Sequence, residues 1–119
     1  MDQSHVVLRY RDGRTERVSL ANIDAEQKVA SVRRDGATAE VPFSDLKAIF
    51  FPRTNPEEEP DTATGSTIAV EFADGEVIRG LAHYNPERNG FFLFPHDRSK
   101  NDRIFVVNSA IVSIEVEKL

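Results

Sequence analysis

A unit of short apolar strands separated by turn signals occurs twice in this chain, and this repetition restricts the possible folds more than any other feature. Residues 68–116 contain five such segments, and residues 6–51 follow the same plan more loosely. At the start of the first unit, Val6, Leu8 and Tyr10 alternate with other residues, which is the period of a strand with one buried face. The chain is therefore predicted to be all-β, with five strands in each half.

The two halves align with one change of register. A shift of 62 carries the first three predicted strands onto residues 68–94 without a gap, and it places the hairpin dipeptide Asp12-Gly13 on Asp74-Gly75. After a longer loop at residues 95–102 the shift becomes 65. A repeat of roughly 60 residues with five strands predicts two small Sm-like or SH3-like barrels in tandem. Each is near the lower size limit for independent folding, so we expect the two to pack on each other instead of forming one long sheet.

The predicted organisation has three parts. The first barrel covers residues 1–52, an acidic, proline-rich linker covers residues 53–66, and the second barrel covers residues 67–119. Residues 52–66 hold three of the six prolines and three successive glutamates, with no large apolar side chain. Such a composition cannot bury a core and indicates a linker or an exposed loop. An acidic docking segment for a basic partner is the functional alternative.

Two runs of phenylalanine predict contact between the barrels. Phe91, Phe92 and Phe94 are nearly consecutive, and successive strand side chains point to opposite faces. They cannot all face one interior, so at least one must cover something outside its own barrel. Phe50 and Phe51 raise the same question in the first half.

The second half resembles the Sm and Sm-like family. Gly75 and Gly80 have the glycine spacing of that family's first motif, Tyr84-Asn85 stands near its apolar–Asp pair, and Asn89 follows four residues after Asn85. The Arg-Gly of the second motif is absent, with Val107-Asn108 at that place. In Sm-like RNA binders these loops form a base pocket. The resemblance therefore implies a candidate binding site at Tyr84, Asn85 and Asn89.

The chain also resembles an uncharacterised bacterial domain with the pattern V-x-F-x-D-G-x-x-x-x-G, then G-F-F-L-F-P and R-I-F-V-V. These motifs stand at residues 70–80, 90–95 and 103–107. Proteins of that kind look cytoplasmic and can accompany PilZ domains, which bind cyclic di-GMP. The resemblance implies a signalling or adaptor setting without a defined activity. The ligand signature of PilZ itself does not occur in this sequence.

Composition argues against several function classes. The chain has no cysteine, three histidines and a net charge of −5, which opposes non-specific attraction to nucleic acid or to an anionic membrane. No catalytic or metal-binding motif is present, so we predict a non-enzyme without a cofactor, a metal or catalytic residues. The absence of a basic leader and of a long apolar run indicates a cytoplasmic protein with no membrane partner.

The function predicted from these observations is a non-catalytic protein-interaction or adaptor module. Barrels of this kind expose the edges of their fourth and fifth strands, which can pair with a partner strand or support a homodimer. The alternative is RNA or nucleotide binding through Asn85, Asn89 and the basic loop after the third strand. That loop contributes Arg98, Lys100 and Arg103, the densest basic cluster in an acidic chain.

Overall fold

The computed structural model describes residues 4–53, 64–98 and 100–117, and every regular element in them is a strand or a short 3-10 turn. The strands are β1 (Ser4–Tyr10), β2 (Thr15–Asp24), β3 (Val29–Arg34), β4 (Ala37–Pro42), β5 (Leu46–Pro52), β6 (Ser66–Phe72), β7 (Val77–Ala82), β8 (Gly90–Pro95), β9 (Asn101–Val107) and β10 (Ile111–Val116). The 3-10 turns Phe43–Asp45 and Asn108–Ala110 precede β5 and β10. The predicted all-β class is confirmed. Most of the predicted linker, residues 54–63, lies outside the described residues.

All ten strands belong to one antiparallel sheet in the order β10-β6-β7-β8-β9-β5-β1-β2-β3-β4. Each half has the same internal order, with its last strand beside its first. The halves join where β5 pairs with β9, for example at Phe50 opposite Ile104. Two separate closed barrels are thus not confirmed, and the expectation that the halves would not form one long sheet is wrong. The backbone groups at the edges of β5 and β9 satisfy each other, which makes the sheet continuous instead of closing it twice.

The sheet buries a different face in each half. Cross-strand pairing places Leu8, Ile49 and Phe105 on one face, where the core of the first half lies. Phe50 and Ile104 lie on the other face, with the core of the second half. The central strands are consequently buried on both faces, which explains why residues 46–51 of β5 show no alternation of burial.

The predicted contact between halves through phenylalanine is confirmed. The ring of Phe92 lies 5.7 Å from that of Phe51 and 5.2 Å from that of Phe105. Phe105 in turn lies 5.6 Å from Phe43 in the first half, while Phe91 points to the second core. Aromatic pairs at these separations stabilise the seam between the halves beyond the area they bury.

The alignment of the two halves needs one correction. Ala30 pairs with Val41, and Phe91 pairs with Val106, so β3 matches β8 with a shift of 61 and not 62. A bulge in β2 beyond Leu20 accommodates an extra residue, which moves the partner strand by one position. The shift of 65 between β4 and β9 is consistent with the pairing.

A second bulge occurs at the same place in both halves. The ladder between β1 and β5 skips Lys47, and the ladder between β6 and β10 skips Val112, its equivalent at a shift of 65. Both bulges follow the 3-10 turn directly. The two closing strands therefore share one local design, although one carries a lysine and the other a valine.

Candidate functional site

An open groove of about 720 Å³ lies where the halves meet. Its floor is aromatic and includes Phe92, Phe94 and Phe105 from β8 and β9. Ile23 and Ala25, at the corner between β2 and β3, form a wall from the first half. Phe92 is 39% exposed, a large fraction for an aromatic side chain, so its ring is accessible to a ligand in the groove.

The loop between β7 and β8 supplies the polar side of the groove. It contributes His83, Tyr84, Asn85 and Arg88 to the lining. The amide of Asn108 holds this loop in place, since its Nδ2 donates to the backbone oxygens of Asn85 (3.1 Å) and Arg88 (2.5 Å). The lining thus combines aromatic surface with one guanidinium and other polar groups, which suits a ligand with both an apolar face and polar edges.

Tyr84, Asn85 and Asn89, which were predicted to bind a ligand, lie in or near the loop between β7 and β8. Tyr84 is half-buried and packs edge-on against Phe91 at 5.4 Å, so it lines the groove as part of its frame. Asn85 also lines the groove, with its Oδ1 accepting from the backbone N–H of Glu87 at 2.9 Å. Asn89 donates from Nδ2 to the backbone oxygen of Ala25 at 2.7 Å, which links the two halves.

The three predicted basic residues lie on β9 and on the loop before it. Arg98 pairs with Asp102 at 2.7 Å, and Lys100 is exposed. Arg103 stacks over Phe51 and Phe92, with its guanidinium carbon 4.7 Å and 4.9 Å from the ring centroids. Arg103 thereby lies beside the groove floor.

The two loops of the predicted nucleotide site lie apart. Residues 85–89 precede β8, and residues 96–98 and 100 follow it, so the two loops stand at opposite ends of a six-residue strand. At about 3.3 Å per residue, that separation is roughly 17 Å. The structure brings Tyr84 and Asn85 together in the groove and leaves the tip of the basic loop outside it.

Several groove residues were missed from the sequence. Ile23 and Ala25 belong to the first half, and no local pattern links them to β8, because only the folded seam brings them together. His83 and Arg88 flank Tyr84-Asn85 in the same loop but carry no motif. The run of phenylalanines was the available signal, since an aromatic residue that cannot face its own core must lie against something else.

The outer edge of β10 is a second candidate site. Its inner edge pairs with β6, and no other strand of the described residues pairs with it. Val112 is 60% exposed and Val116 is 51% exposed. Ile114 is only half-buried, whereas its equivalent Ile49, covered by β9, is fully buried. The two isoleucines differ in burial because β5 has β9 as a neighbour on its outer side, whereas β10 has no such neighbour among the described residues.

A cluster of charges on the side of the seam away from the groove fixes the halves electrostatically. Lys47 is 6% exposed and forms ion pairs with Asp74 (2.8 Å) and Glu76 on the β6–β7 turn. Arg9 pairs with the same glutamate at 3.2 Å. The hydrogen bond from the Lys47 ammonium, followed by that from the backbone N–H of Glu76, lowers the pKa of the Asp74 carboxyl. We interpret this cluster as structural because each of its charges has a partner.

No group of three or more metal-ligating side chains occurs within residues 4–53, 64–98 and 100–117. The same ranges contain no helix long and apolar enough to span a membrane. The structure thus defines an all-β protein with one ten-stranded sheet, an aromatic groove and an open edge. The sequence matches the Family of unknown function (DUF6982) over residues 2–118, so the chain belongs to that family. No curated protein and no solved structure matches it.

Proposed function

We propose that this chain is a non-catalytic protein-interaction module, an adaptor that takes up an extended segment of a partner protein along the outer edge of β10. The observation that carries the proposal is the contrast between the two closing strands. β5 has its outer edge paired with β9, whereas the equivalent edge of β10 is open within the described part of the chain. Addition of a strand to such an edge is a common mode of peptide recognition.

The same proposal treats each half as an Sm-like or SH3-like unit. Three features support this assignment: the strand order repeats, a 3-10 turn precedes the closing strand in both halves, and the bulge at Lys47 recurs at Val112. In such units the outer edge of the closing strand is free to pair with another strand. One of the two edges is then used within the chain, and the other is left for a partner.

The backbone of β10 offers donors to that partner. The N–H of Glu117 donates inward to the backbone oxygen of Thr67 at 2.8 Å. Because successive N–H groups of a strand point to opposite sides, those of Ile114 and Val116 point outward. A proline at position 116 therefore removes an outward donor and leaves the inner ladder with β6 intact.

A synthetic peptide with the sequence of β9, residues 101–107, tests the proposal. In the chain, Ile104 of β9 pairs with Phe50 of β5, and the equivalent of Phe50 on β10 is Glu115. The peptide therefore carries lysine in place of Ile104, so that a positive charge lies opposite Glu115. We expect saturable amide shifts in the NMR spectrum, concentrated on β10, and slower hydrogen exchange at Ile114 and Val116. The Val116→Pro variant is expected to lose at least tenfold in affinity, while Val116→Thr keeps it.

Two results would contradict edge binding. One is the absence of any β10 amide shift up to the solubility limit of the peptide. The other is equal affinity of Val116→Pro and the unmodified protein, since the peptide would then bind elsewhere. A control peptide with proline in place of Phe105 cannot continue the ladder and should not bind.

The groove supports a second candidate, the binding of a base or a short single-stranded RNA. The observation in its favour is Phe92, which is exposed on one side and stacked on Arg103 on another. A base that stacks on an aromatic ring gains about 1–3 kcal/mol. Asn85 and Arg88 stand at the groove for polar contact with it.

Titration with a uridine-rich oligonucleotide at two salt concentrations tests this candidate. We expect Phe92→Ala to weaken binding about tenfold or more, and affinity to fall as salt rises. Val77→Ala, which truncates another exposed apolar side chain outside the groove, should bind normally. No binding at low salt would exclude the candidate.

A further inference from the structure

We infer that Glu40, together with Glu115 at the same contact, prevents copies of this chain from assembling head to tail, and that the strand which occupies β10 carries a large apolar side chain where β4 carries Glu40. The inference rests on the proposed use of the β10 edge. The inference narrows the class of partner, because it excludes one candidate for the β10 edge, the β4 strand of a second copy of this chain.

The seam inside the chain is a template for a contact between copies. β4 and β9 are the fourth strands of the two halves, and β5 and β10 are the closing strands. If β10 of one copy paired with β4 of the next as β5 pairs with β9, the same contact would repeat from copy to copy. Such a contact is heterologous, so it would produce rings or filaments.

Glu40 occupies the position of Phe105 in this template. Glu40 pairs with Ser31 on β3, and Phe105 pairs with Phe92 on β8, the corresponding strand. Phe105 lies opposite Ile49 and is 4% exposed, in contact with Phe43. It therefore fills the core of the neighbouring half from outside.

In a contact between two copies, Glu40 would face Ile114 in the same way. Its carboxylate, now exposed, would be buried against apolar side chains. The residue equivalent to Phe43 at a shift of 65 is Asn108, so that position brings no positive charge to meet the carboxylate. Burial of an unpaired carboxylate is strongly unfavourable, and an inward-pointing charge on an edge strand is a known protection against edge-to-edge pairing.

One other position of the template also opposes the contact: Glu115 stands where β5 has Phe50, so it would point into the core of the next copy's first half. In the contact between copies, Glu71 takes the place of Arg9 and Arg14 of the next copy takes the place of Glu76. Opposite charges would therefore still lie together. Val41 would lie opposite Ser113, a pair of small side chains. Among the cross-strand pairs of this contact, Glu40 opposite Ile114 and Glu115 opposite Ala39 are the unfavourable ones.

The substitution Glu40→Phe tests the inference by light scattering coupled to size-exclusion chromatography over a range of concentrations. Every variant in this test also carries Glu115→Ala, so that Glu40 is the remaining acid at the contact. We expect the unmodified protein and Glu115→Ala alone to remain a single chain, and Glu40→Phe in this background to reach at least twice that mass. Glu40→Phe combined with Val116→Pro should return to one chain, since the β10 edge is blocked. Glu26→Phe, which exposes the same aromatic group on the β2–β3 turn, should stay a single chain.

Three results would overturn the inference. They are a monomeric Glu40→Phe variant, an unmodified protein that already assembles, and an assembly that Val116→Pro does not disrupt. Each is separate from failure of the proposed function, which is measured by peptide binding to monomeric protein. A peptide that binds β10 while Glu40→Phe stays monomeric would refute the role of Glu40 and leave edge binding intact.

Discussion

Substitution of Gly80 by valine is expected to destabilise the protein by about 3 kcal/mol or more, which corresponds to a fall in Tm of about 10 °C or more. Gly80 is buried in β7, and a Cβ placed there would lie 2.1 Å from the backbone oxygen of Phe94 and 2.7 Å from the side chain of Leu93. A backbone oxygen cannot rotate away as a side chain can. The pairing of β7 with β8 would therefore have to loosen, and thermal unfolding followed by circular dichroism measures the loss.

Two comparisons isolate the cause. Gly80→Ala already adds the clashing carbon, so it should cause much of the loss. Ala37→Val enlarges an exposed side chain at the start of β4 and should change the Tm by less than about 2 °C. A Gly80→Val variant with an unchanged Tm would mean that β7 and β8 do not approach as the structure shows.

The second large effect is expected from removal of the two acids that surround Lys47. The double variant Asp74→Asn, Glu76→Gln leaves the buried ammonium without an ionic partner, and we expect its Tm to fall by about 8 °C or more. Lys47→Met should be much milder. The methionine keeps the packing over Phe72, Glu76 keeps its ion pair with Arg9, and Asp74, which loses its partner, remains in contact with solvent.

The triple variant with Lys47→Met is the control, and it should recover most of the Tm lost in the double variant. The pH dependence gives an independent check. Because the folded state lowers the pKa of Asp74, its pair with Lys47 contributes stability above about pH 4 and loses it as the pH falls through the folded pKa. Lys47→Met should weaken this acid destabilisation. Equal losses for Lys47→Met and the double variant would contradict a buried, paired ammonium.

The sequence predicted individual strands well because their signals are local. Asp12-Gly13 and Asp74-Gly75 fall in the turns after β1 and β6, with Gly13 and Gly75 at positive φ as such turns require. The shift of 62 failed at the third strand because the bulge in β2 is not marked in the sequence.

The connection between the halves could not be predicted in the same way. The pairing of β5 with β9 joins residues 49 to 58 positions apart, and either edge could equally have remained open. Lys47 illustrates the difficulty. A lysine between two apolar residues suggests a solvent-facing position in a strand, but the bulge turns it toward the acidic turn of the other half, where it is buried.

The candidate site was predicted in part. The local motif spacing before β8 singled out Tyr84 and Asn85, and both line the groove. The basic loop was grouped with them on charge alone. Pairing within the β8–β9 hairpin separates the two, since a strand keeps its ends apart by its own length. The wall formed by Ile23 and Ala25 depends on the seam and had no signal in sequence.

The two central strands also determine how the molecule unfolds. β5 places Ile49 in the core of the first half and Phe50 in that of the second, and β9 does the same with Phe105 and Ile104. If either half unfolded alone, the other half would lose side chains that complete its core. Calorimetry should therefore show a single two-state transition, and amide exchange of β5 and β9 should report the global opening of the whole chain.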